Sequence, residues 1–96
     1  MTEAEEVFAN QVTRWRANSW EDLRQQLDES PVAYELHGSS GIAYQFEALI
    51  LWDNPRKETN IRLFLTGDDG KGWRFSSRRM RNDSFILASD GTFVGE

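Results

Sequence analysis

Between Ile42 and Trp52 every second residue is apolar: Ile42, Tyr44, Phe46, Ala48, Ile50 and Trp52. Alternate side chains of an extended chain share a face, so the pattern predicts a strand with one unbroken buried side. The intervening positions start polar, at Gln45 and Glu47, and end apolar, at Leu49 and Leu51. That change predicts a central strand, partly covered on both faces.

Val32, Tyr34 and Leu36 alternate in the same way and predict a preceding strand over Val32–His37. Loop length then sets the register. A two- or four-residue loop would place Leu36 opposite Ala43 and mix the two faces. A three-residue loop, Ser39-Ser40-Gly41, pairs Leu36 with Tyr44 and Tyr34 with Phe46. It also puts Gly41 where such hairpins need a left-handed residue.

The first thirty residues carry helical spacing instead. Ala4, Phe8, Val12 and Trp15 fall on one stripe, Thr2 and Glu5 have capping-box spacing, and acids precede bases as the helix dipole prefers. Ser19 with Asp22 repeats the capping signal ahead of Trp20, Leu23 and Leu27. This second helix is expected to end near Asp28 or Glu29, before Ser30-Pro31. Phe8, Trp15, Trp20 and Leu27 are expected to pack on the apolar side of the sheet.

Beyond Trp52, a polar loop over 53–60 leads to a third strand at Ile61–Leu65, with Ile61, Leu63 and Leu65 facing the core. A turn at 67–72 precedes a fourth strand at Trp73–Phe75. An arginine-rich connection follows, and Phe85–Ala88 with Thr92–Val94 form a short hairpin on Ser89-Asp90-Gly91. The fold class is α+β: two N-terminal helices on one face of an antiparallel meander sheet of four to six strands, in one domain.

The chain has 96 residues, enough to bury roughly two-thirds of its unfolded surface. The absence of cysteine excludes disulfides and thiolate metal sites. The segment 1–6 is acidic where a secretion signal is basic and then apolar, so a soluble cytoplasmic protein is expected, without a membrane partner. A net charge of −5 argues against bulk attraction to nucleic acid or anionic lipid. The charge is uneven, however. Lys71, Arg74, Arg78, Arg79 and Arg81 lie within eleven residues that contain no acid.

No catalytic or cofactor motif emerges. In Gly67–Gly72 the lysine is not followed by Ser or Thr and a helix, so the segment does not read as a phosphate loop. It also lacks the alternating oxygen ligands and distal glutamate of a calcium loop. No cofactor or metal is expected.

Three functional readings remain. In the first, a non-enzymatic interaction domain uses Leu49, Leu51 and Phe64, on the face away from the helices, to bind a second copy or another protein. This holds if the C-terminal hairpin continues the sheet; if it folds back over them, they are second-layer core. In the second, Arg74, Arg78, Arg79 and Arg81 bind an anion or a nucleic-acid backbone, guanidinium forks suiting phosphate and carboxylate. Pairing with the protein's own acids, or charging a strand edge, explains the same arginines without a ligand. In the third, Glu35, His37 and Glu47 form an acid–base site or small-molecule pocket on the polar sheet face. Alternating polar residues are also the ordinary pattern of a solvated antiparallel face.

Overall fold

A computed structural model describes residues 2–68 and 81–96. Helices α1 (Glu3–Arg16) and α2 (Trp20–Leu27) precede strands β1 (Val32–His37), β2 (Ala43–Asn54), β3 (Lys57–Asp68) and β4 (Arg81–Leu87). The strands form one antiparallel sheet in the order β1-β2-β3-β4. The architecture is the α+β meander, with four strands.

Local chemistry explains where the helices start. Thr2 and Glu5 form a reciprocal capping box at α1, and Ser19 and Asp22 form another at α2, so backbone donors at each N-terminus find partners. The β1–β2 hairpin has the three-residue loop: Leu36 pairs with Tyr44 and Tyr34 with Phe46. Gly41 takes φ +88°, and its N–H donates to the Gly38 carbonyl. The same device recurs at the C-terminal end. Gly91 takes φ +89°, its N–H donates to Ala88, and Leu87 bridges Phe93.

Tertiary pairing lengthens what the sequence shows as shorter strands. The stretch 53–60 is a tight turn at Pro55-Arg56 rather than an open loop, because Asn54 pairs with Lys57 and its Oδ1 accepts from the Arg56 N–H at 3.0 Å. A register shift between Trp52 and Asn54 accommodates the extra residues. Gly67 belongs to β3, opposite Phe46, and not to a turn. Arg81–Ser84 are strand rather than connection, since they pair with Phe64–Gly67. The strand expected at Trp73–Phe75 lies outside the described residues.

The core lies between the helices and the sheet. Tyr44, Phe46, Ala48 and Ile50 of β2, Ile61, Leu63 and Leu65 of β3, and Phe85 and Leu87 of β4 are buried with Trp15 and Leu23. Phe8 stacks on Phe46 with ring centroids 6.4 Å apart, and Tyr34 stacks on Phe46 at 5.3 Å. Trp20 meets the Trp52 ring at 6.1 Å and donates its indole N–H to the Thr59 carbonyl at 2.8 Å. The hydrophobic effect supplies the drive for this layering, and the pleat decides which residues take part.

Candidate functional site

The helices cover one side of the sheet only. β4 pairs with β3, and the terminal turn continues alongside β4 through a Val94 N–H bond to the Ile86 carbonyl. The C-terminal hairpin therefore extends the sheet instead of folding over its second face.

The register shows what that leaves uncovered among the described residues. Leu49 lies opposite Phe64, while Leu51, Arg62, Ile86 and Val94 run side by side across the strands. Leu49 is 42% exposed, Phe64 38% and Val94 41%. Arg62 sits among them without a bare charge. Its Nε and Nη2 donate to Asp53 Oδ1 at 3.0 and 2.9 Å, and its guanidinium carbon lies 5.5 Å from the Phe64 ring centroid. The patch is apolar with one neutralised ion pair at its centre.

The opposite end of this face is polar. His37 Nε2 is 3.5 Å from Glu35 Oε1, with the two side chains 65% and 46% exposed, and Gln45 Nε2 donates to Glu35 Oε2 at 2.5 Å. Glu47 stands opposite Ala33, one diagonal step from Glu35. That spacing is about 7–8 Å at the backbone. The helices roof the other side, so among the described residues Glu35, His37 and Glu47 share the helix-free face, where Glu47, but neither Glu35 nor His37, lines a shallow depression with Ala33, Gln45, Thr66 and Asp68. Among the described residues no trio of His, Asp and Glu could hold a metal ion. Of the arginine group, Arg81 opens β4 and is exposed. Arg74, Arg78 and Arg79 lie outside the described residues.

Three polar arrangements on the helix side were not anticipated. Gln11 is buried at 7% exposure, Tyr34 donates its hydroxyl proton to Gln11 Oε1 at 2.9 Å, and Trp15 Nε1–H donates to the same Tyr34 oxygen at 2.8 Å. Burial raises the Tyr34 pKa. Gln11 lies on the stripe of Ala4, Phe8 and Trp15, and that spacing was the available signal. A cavity of about 370 Å³ adjoins this relay, lined by Gln11, Arg14, Asn18, Gln26, Tyr34 and Leu36.

Glu3 ties the start of α1 to the first hairpin. It accepts from Ser39 Oγ at 2.9 Å, Ser40 N–H at 2.9 Å, Ser40 Oγ at 2.5 Å and Tyr44 Oη at 2.7 Å. These bonds, that from the Ser40 hydroxyl foremost and then that from Tyr44, lower its pKa to about 2. A β-carbon on Gly38 would come within 2.7 Å of the Glu3 carboxyl, so glycine there permits the close approach. Arg16 fastens the other end. It donates from both terminal nitrogens to Glu96 at 2.8 and 2.7 Å and lies over the Phe93 and Phe85 rings at 4.7 and 5.2 Å. The bonds to Glu96 raise the Arg16 pKa and lower that of Glu96.

Comparison with known proteins gives no relative: no family model, curated protein or solved structure matches this chain significantly. The reading of function therefore rests on the surfaces themselves.

Proposed function

We propose that this chain is a non-enzymatic protein-interaction domain whose helix-free sheet face packs against a second copy. The observation that carries this is the exposed patch of Leu49, Leu51, Phe64, Ile86 and Val94, on the sheet face that neither helix nor any other described element overlies. Contiguous apolar patches on soluble proteins commonly mark interaction sites.

A second copy suits the patch for three reasons. Sheet faces pack readily on sheet faces, about 10 Å apart. With the Arg62 charge already met by Asp53, burial leaves no lone ion at the centre. A twofold axis through Phe64 parallel to the strands would set apolar half on apolar half, with the β1 and β2 carboxylates Glu35 and Glu47 of the two copies on opposite sides of the axis. The molecule measures 41 × 24 × 22 Å, and its broad side can supply the roughly 800 Å² per partner of a standard interface.

Sedimentation velocity and light scattering over a range of concentrations test this. The parent chain is expected to dimerise, and Phe64→Glu to weaken the dimer at least ~30-fold, as loss of a central anchor does. Its circular dichroism should be unchanged. A clean monomer at high concentration, unaltered by Leu51→Glu, overturns the reading.

A further inference from the structure

A different surface from the proposed dimer face, the outer edge of β1, also lacks a partner among the described residues. In β1 the hydrogen-bonding alternation is set by the hairpin, where the Gly38 N–H donates to the Ile42 carbonyl at 2.9 Å. Counting back along the ladder, Leu36, Tyr34 and Val32 turn their peptide groups toward β2. Ala33, Glu35 and His37 therefore turn theirs outward, and among the described residues nothing bonds to them. The other edge is treated differently: Thr92 and Val94 occupy the Ala88 and Ile86 positions of β4 and its following turn.

Side-chain burial records the same vacancy. The inward residues of interior strand β2 from Tyr44 to Ile50 are all buried, whereas Val32, Tyr34 and Leu36 of β1 are only half-buried. Among the described residues no further strand flanks them. What flanks them instead is the 370 Å³ cavity, whose walls include Tyr34 and Leu36 below and Gln11, Arg14, Asn18 and Gln26 of the helices above. An unpaired edge beside a side-chain cavity is the arrangement by which extended peptides add to sheets, main-chain bonds giving affinity and the cavity giving selectivity.

Charge says which segment fits. Arg14 is exposed and forms no ion pair among the described residues, and it shares the cavity with the side-chain amides of Gln11, Asn18 and Gln26. That lining suits a carboxylate. On the opposite side of the same edge stands Glu35, bonded by the neutral Gln45 amide and 3.5 Å from His37 Nε2 but 46% exposed, which still suits a cation. Since successive residues of a strand point to opposite faces, one segment meets both demands by alternating acid and base.

We propose that the free edge of β1 takes up an extended segment of another protein as a fifth strand, with an acidic side chain seated beside Arg14 and Tyr34 and a basic one beside Glu35. The probe is a blocked synthetic peptide, Val-Lys-Glu-Lys-Val, titrated into the full-length ¹⁵N-labelled chain and followed by amide shifts. The expected result is saturable binding tighter than about 1 mM. The largest shifts should fall on residues 33–37 and on Gln11, Arg14, Asn18 and Gln26. Arg14→Glu should weaken binding at least tenfold while leaving the shift pattern of the unbound fold in place. N-methylating alternate peptide amides, so that edge-facing donors are lost, should abolish it. Equal binding of the charge-swapped peptide Val-Glu-Lys-Glu-Val, shifts centred on Leu49 and Phe64, or no binding would each overturn the proposal. So would concentration-dependent shifts at residues 33–37 without peptide, which would identify the occupant as a second copy. The dimer reading stands or falls separately, on sedimentation.

Discussion

Gly67 offers a sharp test of how the core is packed. Alanine ordinarily stabilises a strand position relative to glycine by about 0.5–1 kcal/mol, through lower unfolded-state entropy. Here the sign should reverse. A β-carbon at Gly67 would lie 2.7 and 2.9 Å from two carbons of the Phe46 ring and 3.2 Å from the Phe8 ring. Phe46 is 4% exposed and is flanked by the Tyr34 ring at 5.3 Å and the Phe8 ring at 6.4 Å, so moving it away from a new methyl group means displacing other core rings. Overpacking of this kind costs about 1–3 kcal/mol, which outweighs the entropic gain. Gly67→Ala should therefore destabilise by about 1–1.5 kcal/mol and lower Tm by roughly 4–12 °C for a chain this size. Urea unfolding measures it, and pairing with Phe46→Leu tests the cause. Trimming the ring should make the alanine nearly harmless, giving a coupling energy of about 1 kcal/mol between the two sites. If Gly67→Ala is as stable as the parent, or if the two changes simply add, the proposed clash is wrong.

Two further outcomes follow from the polar contacts. The folded-state pKa of Glu3 is depressed to about 2, so its contribution to stability is complete above the ordinary carboxylate range and declines as pH falls from about 4.5 toward 2. Glu3→Gln should reduce stability at pH 7 and flatten that acid limb, and an unchanged limb in pH-dependent thermal melts would refute the latch. Tyr34→Phe strips Trp15 Nε1–H of its acceptor and Gln11 Oε1 of its donor. It should cost about 1–3 kcal/mol by urea unfolding, while a neutral result would show that water replaces the hydroxyl.

Much of the layout was legible along the chain because its causes are local. The Ser39-Ser40-Gly41 loop follows from parity: only an odd loop keeps Leu36 and Tyr44 on the same face, and Gly41 supplies the left-handed turn. Thr2 with Glu5 and Ser19 with Asp22 announce the helix starts from three residues' spacing. Gly67 shows the opposite case. By composition it belongs with the glycine- and aspartate-rich stretch after it, yet it is a strand residue paired with Phe46, and it is glycine because the Phe46 and Phe8 rings take the space a side chain would fill.

The candidate surfaces divide the same way. Alternation from Ile42 to Trp52 determined which residues leave the core, and so placed Leu49 and Leu51 on the outward face with Phe64. It could not say whether anything lies over them, since that depends on where β4 goes, and β4 pairs beside β3. Spacing along α1 puts Gln11 on the buried stripe, but it could not show that Gln11 would meet Tyr34, twenty-three residues away in the chain. Periodicity fixes the direction in which a side chain points. What it meets there is set by contacts between distant segments, and these exist only once helices and sheet have closed on one another.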